Sequence, residues 1–336
     1  MILSVLLLLL ALLIVYLAAE VFTNALEHIG ERLGVSEGVT GSIFAAVGTA
    51  MPETIVPLVA ILAGGAAESV NHAVGLGAIL GAPFMLATLS LGMMAFFAGR
   101  KRGWNTSFTP EPGGLKRDLS VFMLAFGLVI AAALVPESWR SVKVIFAIAL
   151  FLTYFSYLLK TIRASRRLVA DGHATEADSP LYASRLIGDS TWVVILQSLF
   201  GLMLLVLGAR MFVDGVEQAS ALFGVSALVI ALLVVPVATE LPEKVNSILW
   251  IRRGRDTLAF GNITGAMVFQ STIIPAVGML LMPWHFHDIH ASVAVLFALL
   301  GVSWLWLVSR GKWFRPLPLL LNAILYMLFV ALIIFY

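Results

Sequence analysis

This 336-residue sequence is poor in cysteine and in charged residues. It contains no cysteine, which excludes both a disulfide framework and a thiolate metal site. Charged residues make up only 12% of the chain, against 60% hydrophobic residues. A water-soluble domain needs far more polar surface to cover its core. The composition therefore predicts an integral membrane protein in contact with the lipid bilayer, and no nucleic-acid partner is expected.

Ten apolar stretches are long enough to cross a bilayer, whose hydrocarbon core of ~30 Å needs about 20 helical residues. The predicted spans are 3–28, 38–64, 71–98, 118–136, 141–160, 191–216, 226–250, 257–282, 290–309 and 315–335. The first stretch has no basic region before it, and it leads into a segment that recurs later in the chain. We therefore interpret it as a retained transmembrane helix and not as a signal peptide.

The lysines and arginines are distributed unevenly between the loops. Most of the 21 follow odd-numbered spans, and only Arg140 and Lys143 follow an even-numbered one. Cytoplasmic loops carry the excess of basic residues in multi-pass membrane proteins. We therefore expect a plasma-membrane protein, in a bacterium an inner-membrane protein, with both termini on the non-cytoplasmic side.

An internal repeat relates the two halves of the chain. Residues 34–53 align without gaps with residues 224–243, and residues 77–82 align with residues 261–266. Five spans, an odd number, separate the two copies, so the second copy crosses the membrane in the opposite direction. Inverted repeats with helix-breaking residues at matching positions indicate a transport site near the middle of the membrane.

The predicted fold class follows from the spans and the repeat together. We expect an all-α integral membrane protein of about ten transmembrane helices, arranged as two inverted five-helix repeats. The first repeat covers 1–160, a cytoplasmic linker covers 161–190, and the second, inverted repeat covers 191–336.

Glu53 and Glu243 each follow a proline directly inside an apolar span. A proline within a helix frees the backbone carbonyl four residues earlier. Thr49 and Thr239 precede the two glutamates by four residues, and so lie on the same helix faces. A proline kink with a glutamate reaching water would explain one such pair. Two pairs at equivalent positions favour a cage of oxygen ligands, which Ca²⁺, Mg²⁺ and Mn²⁺ prefer.

The repeated segments resemble the α-repeats of the cation/Ca²⁺ antiporter superfamily, and in particular the sodium/calcium exchanger membrane-region family. That family carries Gly-Thr-Ser-x-Pro-Glu in each half, where this chain has Gly-Thr-Ala-Met-Pro-Glu at 48–53 and Ala-Thr-Glu-Leu-Pro-Glu at 238–243. The family's Gly-Asn-x-x-Gly-Ser-Asn is similar to the residues at 77–83 and 261–267. The resemblance covers nearly the whole chain and implies a divergent, prokaryote-like member with a sodium/calcium exchanger-like fold.

The resemblance also implies which residues bind cations. The divalent ion would be held by the carboxylates of Glu53 and Glu243 and by the backbone carbonyls of Thr49 and Thr239. The positions that family members use for sodium are here Ala50, Glu240, Ala82, Ala266, Leu86 and Gln270. The divalent part of the pattern is retained and the sodium part is largely absent, so the counter-ion is left as H⁺ or Na⁺.

Glu240 departs from the family pattern. It lies three residues before Glu243, so both side chains can face one site. Three carboxylates in a poorly hydrated pocket do not all stay ionised, because burial and mutual repulsion oppose it. We therefore hypothesise that proton uptake by this cluster replaces sodium binding. Alternatively, Glu240 forms a structural ion pair with Lys244 or Arg210.

The predicted function is secondary active antiport by alternating access. A divalent cation, expected to be Ca²⁺, exchanges against H⁺ or Na⁺, and spans 1 and 6 slide past the site. Glu240 and Gln270 would tune the counter-ion. The sequence has no phosphate-binding loop, so an ion gradient is expected to drive transport. Neither a cofactor nor an enzymatic activity is expected.

Several alternatives remain open at this point. One is a monovalent cation (Na⁺ or K⁺)/proton antiporter, and another is an Mn²⁺ exporter of the same fold, which Met51 and Met267 in the motif regions would suit. An intramembrane metal-dependent hydrolase and a channel are the others. His285, His287 and His290 form a His-rich loop that either binds metal or is simply solvated.

Overall fold

The computed structural model describes residues 2–32, 46–62, 67–169 and 180–335, and all of their regular structure is helical. The long helices are α1 (Ile2–Arg32), α2 (Ala46–Leu62), α3 (Glu68–Arg102), α4 (Pro112–Leu134), α5 (Arg140–Val169), α6 (Thr191–Phe223), α7a (Ala227–Thr239), α7b (Leu241–Arg252), α8 (Asp256–Leu281), α9 (Ile289–Ser309) and α10 (Pro316–Phe335). Together α7a and α7b form one interrupted helix, α7.

Eight of these helices are long and apolar enough to cross a membrane, and shorter apolar helices lie within α2 and α7a. With α2 and α7 counted as crossings, the ten predicted spans and the all-α membrane fold are confirmed. Most of the first repeat segment (33–45) and part of the predicted linker (170–179) lie outside the described residues.

The two halves of the chain interlock. The third helix of the first half, α3, packs against α7a, α9 and α10 of the second half. Its counterpart α8 packs against α2, α4 and α5 of the first half. Each repeat therefore completes its core with helices of the other, and the division at 1–160, 161–190 and 191–336 remains a prediction about sequence units.

Helices α3 and α7a approach each other closely because two glycines of α3 face the backbone of α7a. A Cβ atom at Gly77 would lie 2.4 Å from the Leu228 carbonyl oxygen, and one at Gly81 would lie 2.3 Å from that of Leu232. The Leu232 carbonyl is also the one that Pro236 deprives of its helical donor, since proline has no N–H. The two halves thus meet backbone to backbone beside the broken part of α7.

Helices α1 and α6 form a second close pair. Three glycines of α6 at seven-residue intervals, Gly201, Gly208 and Gly215, all face α1. Gly201 lies against Phe22 and Gly215 against Leu8, so the two helices run antiparallel, as inverted repeats require. Apolar side chains gain little by leaving lipid for protein, so small residues that allow close packing are what hold membrane helices together.

Helix α3 contains one turn of π-helix at Leu86–Ser90. The buried Asn322 of α10 donates hydrogen bonds from its Nδ2 to the carbonyl oxygens of Ala87 (2.7 Å) and Gly301 (3.0 Å). A π turn displaces backbone groups from their usual partners, and buried carbonyls need donors. Asn322 therefore stabilises the turn and joins α3, α9 and α10.

A buried ion pair joins the end of α3 to the start of α8. Arg102 binds the Asp256 carboxylate through both Nη atoms, at 2.5 and 3.3 Å, and the Thr109 backbone N–H donates to the same carboxylate at 2.8 Å. Asp256 is buried, with 2% exposure. The carboxylate thus orders the loop between α3 and α4 as well as the entry to α8.

We expect Asp256→Asn to lower the thermal unfolding temperature of the purified protein in detergent. The change leaves a partly buried guanidinium without its counter-charge, which costs up to about 3 kcal/mol. The matched control is Asp189→Asn, because the carboxylate of Asp189 pairs with Arg32 but is 66% exposed, and exposed pairs contribute ~0–1 kcal/mol. Equal shifts in the two variants would contradict this ranking.

Candidate functional site

The centre of the candidate site is the interruption of α7. The backbone of Glu240 leaves the helical region (φ −97°, ψ 9°), α7a ends at Thr239, and α7b begins at Leu241 with Pro242 in its first turn. Pro242 has no N–H to offer the preceding turn, so the helix cannot run on with its hydrogen bonds intact. The second Thr-x-x-Pro-Glu motif therefore forms the helix break that its sequence predicts.

Three glutamates meet at this break although their surroundings exclude water. Glu53 of α2, Glu240 at the break and Glu243 of α7b are 4%, 0% and 5% exposed. Glu53 lies within electrostatic range of both of the others, so the structure brings the motif glutamates of the two halves together. Carboxylates at membrane depth are costly unless they are partnered, which makes this cluster the candidate functional site.

Lys244 provides one partner for this acidic cluster. Its ammonium lies 2.9 Å from Oε2 of Glu240 and donates a hydrogen bond to the Pro236 carbonyl oxygen at 2.8 Å. Lys244 is itself buried and lies within electrostatic range of Glu53. The ion pair between Glu240 and Lys244, one of two alternatives from the sequence, is therefore formed. Arg210, the other suggested partner, is exposed.

Gln270 of α8 joins the cluster from the opposite side. It is buried, and its Nε2 donates to Oε1 of Glu240 at 3.4 Å. Among the described residues, Oε1 of Gln270 and Oε2 of Glu53 accept no hydrogen bond although both atoms are buried. Buried acceptors are rarely left unsatisfied in proteins, so these two atoms beside a carboxylate cluster are candidates to contact a cation or to accept a proton.

The structure describes the side chain of only one of the two motif threonines, Thr239. Thr239 is buried, and its hydroxyl donates to the Val235 carbonyl of its own helix at 3.2 Å. That leaves its backbone carbonyl, at the end of α7a, as the group available to the break. The backbone of Thr49 belongs to α2, but its side chain lies outside the described part of the chain, as does that of Met51.

Asn262 is a residue of the site to which sequence analysis gave no role. Its Nδ2 donates to the Glu243 backbone carbonyl and to the Ser247 hydroxyl, both at 3.0 Å. It thereby ties the first turn of α7b to α8. The sequence did contain a signal for this role. Asn262 is a polar residue in an apolar predicted span, at a repeat position where the first half has Ala78.

Two histidines of the His-rich loop, His285 and His290, have different partners. His285 lies 3.1 Å from the Lys143 ammonium and 3.2 Å from the Ala133 carbonyl oxygen, whereas His290 pairs with Asp288 at 2.6 Å. Within the described residues, no group of three or more His, Asp or Glu side chains is arranged to hold a metal ion. The three buried glutamates are not such a group of three either, and one of them, Glu240, is paired with Lys244.

The fold and the site are those of a multi-pass membrane transporter built from inverted repeats. The chain belongs to the sodium/calcium exchanger family: the family model described as "Sodium/calcium exchanger protein" matches residues 3–163 and 193–335. The resemblance inferred from the two motifs is thus confirmed, and the chain is a member of a family of membrane cation exchangers.

Individual relatives agree with this assignment. The Inner membrane protein YrbG of Escherichia coli (strain K12) is 26% identical over 310 residues, which cover 89% of each chain. The Putative antiporter CaxA of Alkalimonas amylolytica is 26% identical over 275 residues, covering 79% of this chain and 77% of the relative. Among solved structures, the crystal structure of the H⁺/Ca²⁺ exchanger CAX shares the fold, with a TM-score of 0.71 at 16% identity over 99% of this chain and 82% of the other.

Proposed function

We propose that this chain is a secondary active antiporter that exchanges a divalent cation, Ca²⁺, for H⁺ by alternating access. The observation that carries the proposal is the pairing of Glu53 and Glu243. These two glutamates come from opposite repeats, are almost fully buried, and lie within electrostatic range of each other. A divalent cation compensates both charges at once, which a single monovalent cation does not.

The proposed ligands of the transported ion are the carboxylates of Glu53 and Glu243 and the backbone carbonyls of Thr49 and Thr239. Hard divalent cations bind such sets of oxygen atoms. The break in α7 supports this assignment, because a helix that ends at Thr239 leaves terminal carbonyls without helical donors. Gln270 would add its amide oxygen, which is buried without a donor.

Protons are the proposed counter-ions because of the pocket's charge. When Ca²⁺ leaves, the buried carboxylates lose their compensating charge, and proton uptake is the means by which such groups become neutral. The next Ca²⁺ ion would expel these protons, so that each ion moves only in exchange for the other. Sodium as counter-ion, monovalent cation/proton exchange and Mn²⁺ export remain the alternatives that the experiment below separates.

The helices proposed to move during alternating access are α1 and α6. The glycine row of α6 joins these two helices closely, and the pair packs against α2 and α7a, which hold Glu53 and the break. Sliding of this pair past the site would open it to one side of the membrane at a time. The basic loops are proposed to face the cytosol, with both termini outside.

The test is ⁴⁵Ca²⁺ uptake into proteoliposomes that contain the purified protein, with an outward H⁺ gradient, an outward Na⁺ gradient or no gradient. We expect the H⁺ gradient to drive uptake without Na⁺. Uptake only with the Na⁺ gradient would identify Na⁺, and not H⁺, as the counter-ion. A lack of ⁴⁵Ca²⁺ uptake in every condition would overturn the substrate assignment and direct the same assay to Mn²⁺ and then to Na⁺ and K⁺.

A further inference from the structure

Lys244 has the surroundings of a bound cation rather than of an ordinary membrane lysine. Lysines in membrane helices usually extend to the interface, where water solvates the ammonium. Lys244 instead folds back beside the helix break and is only 8% exposed. The oxygen atoms near its Nζ are a carboxylate oxygen of Glu240 at 2.9 Å and the Pro236 carbonyl oxygen at 2.8 Å. Carboxylate and carbonyl oxygens are also what a sodium or potassium ion binds.

The helix break explains how the ammonium reaches this position. Helical side chains lean toward the N-terminus of their helix, so Lys244 in the first turn of α7b points back across the break. It thereby reaches the carbonyl of Pro236, eight residues earlier in α7a. The ammonium of Lys244, on α7b, is thus held against the Pro236 carbonyl of α7a and the Glu240 carboxylate at the break.

The groups around Lys244 show how the charges of the pocket are divided. Glu53 of α2 lies within electrostatic range of Lys244, Glu240 of α7 lies within range of both Lys244 and Glu243, and Gln270 of α8 contacts the same Glu240. Tyr326 of α10 also lies within electrostatic range of Glu240. Glu240 is paired with the ammonium, whereas Glu53 and Glu243 are the proposed ligands of the transported ion.

We propose that the Lys244 ammonium is a tethered substitute for a co-bound monovalent cation, which neutralises Glu240 permanently while Glu53 and Glu243 bind a single divalent ion. This inference rests on the proposed function. Of the two roles that the sequence allows for Glu240, it favours the ion pair with Lys244 over uptake of the counter-ion. Transport then needs no Na⁺ or K⁺ in the site, because that place is already filled.

The test is cation rescue of two substitutions at this position. Lys244→Ala removes the charge and leaves space, whereas Lys244→Met removes the charge and fills the space. In medium whose only monovalent cation besides H⁺ is the bulky N-methyl-D-glucamine, we expect H⁺-driven ⁴⁵Ca²⁺ uptake by both variants to fall by about tenfold or more, because Glu240 loses its partner. Equal Na⁺, K⁺ or methylammonium on both sides should restore the alanine variant but not the methionine variant.

The wild-type protein should be indifferent to these additions, and Lys116→Ala, which removes an exposed lysine of α4, should behave like the wild type. Uptake by Lys244→Ala that stays at the wild-type rate, or that no small cation restores, would overturn the proposal. Size-exclusion profiles of both variants serve as the control that they remain folded. Failure of the proposed function is a separate result, because the wild-type protein itself would then take up no ⁴⁵Ca²⁺.

Discussion

Glu53→Gln and Glu243→Gln should each abolish gradient-driven ⁴⁵Ca²⁺ uptake while leaving the protein folded. Glutamine keeps the size of the side chain and one of its oxygens but removes the charge that a divalent cation needs. Losing one partner of a buried charge pair costs about 2–5 kcal/mol, and even the lower value is roughly 30-fold in affinity. The loss should appear in direct ⁴⁵Ca²⁺ binding to the detergent-purified protein as well as in uptake.

The matched control for these variants is Glu68→Gln. Glu68 begins α3, and its carboxylate is 89% exposed, so the same chemical change there removes no buried charge. We expect uptake and binding to stay at the wild-type level. If Glu53→Gln and Glu243→Gln also retained ⁴⁵Ca²⁺ binding, the two glutamates would not be the ligands, and the site would have to be sought elsewhere.

Gly77→Ala should prevent stable folding, whereas Gly261→Ala at the equivalent repeat position should be tolerated. A Cβ at residue 77 would lie 2.4 Å from the Leu228 carbonyl oxygen, so α3 and α7a would have to move apart. Overpacking of this kind costs ~1–3 kcal/mol or more. At Gly261 an added Cβ meets no atom of the described residues within 4 Å, and alanine favours a helix by up to about 1 kcal/mol over glycine.

The measurement for this pair is thermal unfolding and size-exclusion chromatography in a mild detergent. The expected outcome is aggregation or a strongly lowered unfolding temperature for Gly77→Ala, and an unchanged or slightly raised temperature for Gly261→Ala. Identical behaviour of the two variants would mean that α3 and α7a can separate without cost. The two variants can be compared directly, because Gly77 and Gly261 occupy equivalent positions of the repeat and have similar sequence context.

Much of the fold follows from the sequence because hydrophobic length and repeat symmetry are properties of whole segments. To predict the ten spans, it was enough to find apolar runs longer than a bilayer crossing. To predict that Glu53 and Glu243 lie close together, it was enough to find two equivalent motifs in inverted halves. The break at Glu240 followed from a proline within an apolar span, a local effect of one residue on its own helix.

What the sequence does not reveal depends on contacts between distant segments. Spacing alone allowed Glu240 to join the cation site or to pair with Lys244, and only the position of the lysine side chain separates the two. Asn262 was given no role, because its hydrogen-bond acceptors belong to another helix, α7b. Gly77 and Gly261 differ because the backbone of α7a passes close to Gly77, whereas no described atom lies within 4 Å of a Cβ at Gly261. The repeat alignment does not predict this difference.

The measurement that tests the central claim most directly follows Ca²⁺ and H⁺ in the same vesicles. Proteoliposomes with a pH-sensitive dye inside, in Na⁺-free and K⁺-free buffer, are exposed to external Ca²⁺. We expect the internal pH to rise as Ca²⁺ enters, and to stay constant in liposomes that contain Glu53→Gln or Glu243→Gln. Entry of Ca²⁺ without a change in internal pH would contradict Ca²⁺/H⁺ antiport through this site.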